Sequence, residues 1–349
     1  PFFPDAAMKR TLVVLLCAVF YSLLAWDQPE ELFKPPPGFP AVVYSFETNP
    51  LTEAKVQLGR ALFYDPLLSR DSTISCESCH SPYTAFAHTD HARSHGIDNR
   101  VGIRNAPALF NLAWQPEFMW DGAINHLDVQ ALAPIAHHDE MDNTLDEVLK
   151  RLRRSPLYPE LFRAVYGDTV ISGQRFLKAI SAFMLTLVSA DARYDRMKRG
   201  ELMFTEQEAN GYRLFQEHCN ACHREPLFTN YAYANNGLLP DTAAPDAGRY
   251  RITRVASDSL QFKVPSLRNL EYSYPYMHDG RFKTLSEVIR HYTNGIQIKP
   301  TLSPELRKPI VLRPEEKVDL QAFLLTLSDS AFVFDPSHAF PRQLFFGKR

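Results

Sequence analysis

Four of the chain's five cysteines stand in two copies of one short run, Cys76-Glu-Ser-Cys79-His80 and Cys219-Asn-Ala-Cys222-His223. Two thiols at this spacing can add to the two vinyl groups of a haem, and the imidazole that follows falls under the iron as its proximal ligand. Each run therefore reads as a c-type haem site, and two such sites mean electron chemistry. Paired Cys-x-x-Cys units also bind zinc or act as redox dithiols, so those readings are weighed beside the haem one. The N-terminus favours haem. Met8-Lys9-Arg10 precedes the apolar run from Thr11 to Ala25, a short charged-then-apolar pattern of the secretory kind. Haem is attached to such motifs on the outer side of the bacterial membrane, so export and attachment agree.

The elements that must position these residues can be sketched from the same reading. Residues 1–26 are expected to be a signal peptide or an uncleaved N-terminal anchor, the run being too short for a confident membrane span. Cys17 raises a lipoprotein alternative, but Leu16 stands where a small residue should precede a lipidated cysteine. With Cys17 set aside, both motifs use every remaining cysteine and no disulfide framework is available. The expected location is the periplasm. Lys and Arg number 38 against 40 Asp and Glu, a net charge of -2, which argues against nucleic acid and leaves a small redox protein as the natural partner.

About 320 residues remain after the export segment, enough for two cores. Residues 27–49, with Pro35-Pro36-Pro37-Gly38, read as an extended linker. The first haem domain is expected over 50–198, the second over 199–330, and a C-terminal tail over 331–349. An internal echo supports two related halves: Gly59-Arg60-Ala61-Leu62-Phe63 precedes the first motif and Gly211-Tyr212-Arg213-Leu214-Phe215 the second. Capping boxes at Thr144/Glu147, Thr205/Glu208 and Thr284/Glu287 open apolar 3.6-period stretches. Gln174 to Ala190 reads as one apolar core helix, and Pro314 starts a last helix with Val318, Ala322 and Leu325 on its apolar face. Few strands are expected: the fold class is all-α with long loops.

Further residues resemble the bacterial di-haem cytochrome c peroxidase family, whose close relative is MauG, the di-haem enzyme of methylamine utilisation. Between the motifs stand Arg104-Asn105-Ala106-Pro107, Phe118-Met119-Trp120-Asp121-Gly122, Gln130, Pro134 and Glu140-Met141. After the second come Val264-Pro265-Ser266-Leu267-Arg268-Asn269 and Tyr274-Pro275-Tyr276-Met277-His278-Asp279-Gly280. The resemblance, from about Thr52 to Asp329, implies two cytochrome-c-like haem domains. It implies Glu140 as acid/base over the open side of the N-terminal haem, Gln130 as a positioning donor and Pro134 as pocket wall. A carboxylate in a partly dry pocket can move a proton between peroxide oxygens with a raised pKa. Trp120 would stand between the haems as an electron bridge. Asn105, with the carbonyls of Ser273 and Pro275, would hold a Ca²⁺, a hard ion suited to oxygen ligands. His137 and His138 either join the proton path or face solvent, and solvent is the expectation.

The chain also departs from the peroxidase pattern. Many of these enzymes close the N-terminal haem with a loop His just after a Gly; aligned on Gly96, that position is Ile97. The His80 haem is therefore expected to be open in the ferric protein, with His95 as a possible substitute ligand and His88 and His91 further away. Where the peroxidases carry a Met ligand to the C-terminal haem, this chain has Tyr292. As in MauG, Tyr292 is the expected ligand, with Met277 as runner-up, and a phenolate should lower that haem's potential relative to a thioether. MauG's Trp two residues before its second motif is Glu217 here.

These features imply a peroxidase that reduces hydrogen peroxide to water, with electrons from a monohaem cytochrome c or copper protein. The alternatives are a MauG-like oxidase that withdraws electrons from a protein or organic substrate, and a non-catalytic electron carrier. A homodimer is possible.

Overall fold

Helices and irregular loops make up almost all of the described backbone, as the capping boxes and 3.6-residue periodicity predict. The computed structural model describes residues 32–347; the expected export segment and Cys17 lie outside them. The second of two compact units, Pro35–Arg349, carries both motifs. In chain order the second unit's helices are α1 Glu53–Tyr64, α2 Leu127–Gln130, α3 Leu132–Ala136, α4 Leu145–Arg154, α5 Tyr158–Tyr166, α6 Gly173–Leu185, α7 Arg193–Lys198, α8 Glu206–His218, α9 Tyr250–Thr253, α10 Leu285–Arg290, α11 Pro314–Leu325, α12 Ser330–Val333 and α13 Arg342–Phe346. Among the described residues the one sheet pairs β1, Tyr233–Ala234, antiparallel with β2, Phe262–Lys263. No described helix is long and apolar enough to cross a membrane.

The sequence echo is a packing unit used twice. In the first half α1 lies against α6, and in the second α8 lies against α11. Each pair crosses at the glycine of the echo. A Cβ on Gly59 would come within 1.9 Å of the Ala179 carbonyl oxygen, and one on Gly211 within 1.9 Å of the Asp319 carbonyl oxygen. Absence of a side chain there lets two helix backbones touch. One turn further on, the echoed phenylalanines meet their partners edge-on or tilted: Phe63 with Phe183 at 5.3 Å and Phe215 with Phe323 at 5.1 Å between centroids. Each then reaches a third ring, Phe86 or Phe228, which follows the adjacent Cys-x-x-Cys-His run. The echoed residues thus build the core behind each motif.

Several local expectations are corrected. The helix expected over Gln174 to Ala190 ends at Leu185. Beyond it Ser189 leaves helical geometry to exchange hydrogen bonds with Asn111, its N–H donating to Oδ1 and its carbonyl accepting from Nδ2, both at 3.0 Å. On α11 the buried residues are Leu320, Phe323 and Leu324, whereas Val318 is 56% exposed; the contact of Asp319 with Gly211 fixes the rotation of the helix. Thr205/Glu208 and Thr284/Glu287 form full capping boxes. Thr144 caps only one way, because Glu147 turns to Lys150 and Arg151 instead.

The stretch read as linker carries tertiary contacts well before Pro50. Trp114 Nε1 donates to the Pro40 carbonyl at 2.8 Å, Asn49 Nδ2 to the Lys178 carbonyl at 3.0 Å, and the Tyr44 hydroxyl to Asp128 at 2.8 Å. The C-terminal stretch likewise returns to the first half. The Tyr64 hydroxyl donates to the His338 carbonyl at 2.6 Å and Arg60 to the carbonyls of Ala339 and Pro336. His338 itself packs edge-on to Phe86.

Candidate active site

Both motifs end in an imidazole whose inner nitrogen is already committed. His80 Nδ1 lies 2.7 Å from the Phe86 carbonyl, and His223 Nδ1 lies 3.1 Å from the Pro265 carbonyl and 3.3 Å from that of Phe228. A carbonyl can only accept, so each ring carries its proton on Nδ1 and keeps the Nε2 lone pair free. Burial lowers both imidazole pKa values to about 4, which keeps them neutral and fit to ligate a metal. The four described cysteines are free thiols. Burial pushes Cys76 and Cys219 up to about 12 and Cys79 up to about 11. Such raised values argue against a dithiol poised for exchange.

The two motifs open onto one cavity of about 950 Å³, bordered by Cys79 and His80 and by Cys219, Cys222 and His223. Its walls are mostly apolar, as an amphiphilic macrocycle requires. Among the described residues no group of three or more His, Cys, Asp or Glu side chains converges as a metal site. The zinc reading therefore lacks a donor set, whereas thiols, fixed imidazoles and a large apolar cavity fit haem.

On the first motif's side, Gln130, Pro134 and Glu140 all line this cavity, delivered by α2, α3 and the turn after them. Glu140 is held through its backbone. Its carbonyl accepts the Ile97 N–H at 2.9 Å, and a Cβ on Gly96 would sit 2.4 Å from the same oxygen. The loop carrying His88, His91 and His95 is thereby pinned to the Glu140 turn. The Glu140 side chain is 37% exposed, with the cavity on its face, and burial raises its carboxyl above the ordinary range, His137 opposing and Asp139 assisting. His137, expected in solvent, is 52% exposed yet places Nδ1 3.7 Å from Glu140 Oε1 and also borders the cavity. His138 faces solvent, beside Arg100. Ile97 is fully buried, so the position of the missing loop ligand is filled by core, while His95 stays on the cavity wall with its ring 4.3 Å from that of His91.

Trp120 borders the cavity that joins the motifs. Its indole N–H donates to the Asn105 carbonyl and its own carbonyl accepts the Lys263 N–H, both at 2.8 Å. Lys263 also donates from Nζ to the Met119 carbonyl at 2.8 Å, and burial lowers its ammonium to about 7. This lysine escaped sequence reasoning, although it directly precedes the Val264-Pro265 run. Asn105, Ser273 and Pro275 border the same cavity. Asn105 Nδ2 donates to the Ala92 carbonyl at 3.0 Å, leaving the amide oxygen as the group suited to a hard cation.

On the second motif's side, Tyr292 and Met277 both border the cavity. Tyr292 sits on a single π turn, His291–Gly295, that follows α10, where the periodicity predicts a continuous α-helix. Such turns recur at functional sites because they re-aim a side chain without ending the helix. Burial pushes the Tyr292 phenol up to about 12, opposed by a hydrogen bond with Asn236. Asn236 Nδ2 also lies 3.5 Å from Met277 Sδ, so one amide addresses both candidate ligands. Nothing in the sequence marks Asn236; its place depends on the fold.

Comparison with known proteins shows the family. Residues 53–203 match the family model for di-haem cytochrome c peroxidase. The chain is 39% identical to methylamine utilization protein MauG of Methylorubrum extorquens over 80% of each chain, and 36% identical to cytochrome c551 peroxidase of Nitrosomonas europaea over 92% of each. A crystal structure of a MauG-like protein associated with microbial copper homeostasis superposes with a TM-score of 0.75 at 34% identity, covering 90% of this chain and 99% of that one. With relatives this similar across most of their length and both haem motifs facing one cavity, the chain belongs to the di-haem cytochrome c peroxidase family.

Proposed function

We propose that this protein reduces hydrogen peroxide to water at a haem c held by Cys76, Cys79 and His80, with electrons relayed from a second haem c held by Cys219, Cys222 and His223. The observation that carries this reading is the single cavity on which both motifs, Trp120, Gln130, Pro134 and Glu140 converge. The duplicated packing unit supports two cytochrome-c-like haem domains, 50–198 and 199–330.

Bound haem supplies the iron that takes up and returns electrons; the chain supplies proton movement and position. Glu140, with its raised pKa and half-dry setting, takes the proton from one peroxide oxygen and delivers it to the other. Gln130 orients the peroxide, Pro134 narrows the pocket, and His137 exchanges the Glu140 proton with water. Trp120, fixed by the Asn105 carbonyl and the Lys263 N–H, bridges the halves. Asn105, Ser273 and Pro275 would hold a Ca²⁺ through oxygen ligands. The electron donor is a small redox protein, a monohaem cytochrome c or copper protein, met in the periplasm.

Glu140→Gln tests the central role. Peroxide turnover should fall about 100-fold or more with both haems still attached, and unchanged turnover would remove Glu140 from the mechanism.

A specific observation favours a second reading, a MauG-like oxidase that oxidises a protein or organic substrate. Tyr292 lines the cavity where the peroxidases carry Met, and the loop position that would close the first haem is buried Ile97. Glu217, exposed beside Arg213, stands in place of MauG's tryptophan and speaks against methylamine dehydrogenase as that substrate.

A further inference from the structure

Next to the second motif lies a polar cluster that peroxide reduction leaves without a task. The Glu225 carboxylate accepts hydrogen bonds from the hydroxyls of Tyr194 and Tyr212 and from Gln216 Nε2. Tyr212 reaches both carboxylate oxygens, at 3.1 and 3.2 Å. Lys198 Nζ sits 3.5 Å from the same carboxylate and 5.8 Å from the centre of each phenol ring. The two rings are 6.5 Å apart; Tyr194 is 1% exposed and Tyr212 partly exposed.

From this pair a line of packed groups runs inward. Tyr194 meets Phe228 edge-on at 4.7 Å, and the Phe228 carbonyl is one of the two that face His223 Nδ1. Tyr212 packs against the same apolar cluster as Cys219. The two hydroxyls satisfy a largely buried carboxylate, and the same pairing sets up what a phenol hydroxyl can do chemically. Oxidising a phenol at neutral pH requires its proton to leave with the electron, all the more where the Lys198 ammonium repels a positively charged ring. A hydrogen-bonded carboxylate is the acceptor such a step needs.

We propose that Tyr194 and Tyr212 form a redox-active pair through which the haem on His223, once oxidised by peroxide, withdraws an electron from a one-electron donor at the protein surface. This rests on the peroxidase reading, which supplies the oxidant. In the first step Tyr212 loses one electron, by way of Tyr194, to the oxidised haem, which is reduced by one. The phenolic O–H bond breaks, its proton passes to a Glu225 oxygen, and a neutral tyrosyl radical remains. In the second step the surface donor gives one electron to the Tyr212 radical while the proton on Glu225 returns to the Tyr212 oxygen. The net change is one electron from donor to haem. Donors too large for the cavity thereby become substrates.

The test mixes the ferric holoenzyme with one equivalent of hydrogen peroxide and freezes it at intervals for electron paramagnetic resonance, with ring-deuterated tyrosine incorporated to identify the radical. A tyrosyl signal that narrows on deuteration is expected. It should fall at least tenfold in the Tyr194→Phe/Tyr212→Phe double variant while both haems remain attached and their absorption bands still respond to peroxide. A signal of unchanged size in the double variant overturns the proposal, as does the absence of any tyrosyl signal when the wild-type haems respond. Haem bands indifferent to peroxide, before and after reduction, would sink the peroxidase reading itself and the inference with it.

Discussion

Glu140 and Tyr292 face one cavity, and the proposed mechanism gives them different chemical tasks. Glu140 must exchange a proton, and its raised pKa fixes the sign of its pH dependence. The carboxylate form, the only one able to take a proton from peroxide, is gained as pH rises through the raised value. Peroxide reduction should therefore climb with pH through a midpoint above the ordinary carboxylate value and level off beyond it, and Glu140→Gln should flatten that limb. A profile with its acid limb unmoved in the variant would assign the titration elsewhere. Tyr292 is proposed instead as a ligand to the iron of the second haem. Tyr292→Met should raise that haem's midpoint potential by on the order of 100 mV, measured by spectroelectrochemical titration, because a thioether favours the ferrous state more than a phenolate does. An unshifted potential would leave Tyr292 a cavity-wall residue and turn attention to Met277. The residues proposed to perform chemistry, which line the cavity, are legible in the sequence because they stand in short, spaced runs. Asn236 and Lys263 are not, since each acts across a tertiary contact with residues 41 and 144 positions away.

Two glycines govern the helix pairs behind the motifs. Alanine at Gly59 or Gly211 would drive a Cβ into a facing backbone carbonyl that cannot swing aside. Either substitution should cost about 3 kcal/mol, at the upper end of overpacking penalties, seen as a lower urea midpoint with an unchanged slope. A cost near zero would mean that the pairs separate easily and that the glycines serve another purpose. The repeat itself is legible in the amino-acid sequence, because the echo keeps glycine and phenylalanine at the same spacing in both halves. Hydrophobic periodicity alone misassigns the face of α11, because Val318 and Leu325 match the period as well as Phe323 does. Only the close approach of Asp319 to Gly211 distinguishes them. Helix ends are similarly hidden where a tertiary partner, such as Asn111 for Ser189, offers the backbone a better hydrogen bond than the next helical turn.

Across the molecule, charge pairs join segments that are distant in sequence. Arg268 is fully buried and forms a bidentate pair with Asp195 at 2.7 and 2.8 Å, while also donating to the Pro226 carbonyl. Arg268→Met leaves the Asp195 charge buried without its partner and should cost about 3–5 kcal/mol, read as a lowered denaturation midpoint; a loss below about 1 kcal/mol would mean water reaches Asp195 in the variant. The contacts of residues 39–49 and 330–346 with the first half escape sequence reasoning for one reason: proline-rich and short aromatic stretches show no periodicity, and their partners, such as Tyr64 and Lys178, are recognised only in space. Whether both halves answer peroxide together is settled most directly by stopped-flow spectroscopy of the fully ferric protein with one equivalent of hydrogen peroxide and no prior reduction. With the first haem open and Tyr292 on the second, the ferric bands should be lost rapidly to a long-lived oxidised species spread over both haems. No reaction until one haem is reduced would contradict this and place a sixth ligand, with His95 the nearest candidate, on the iron of His80.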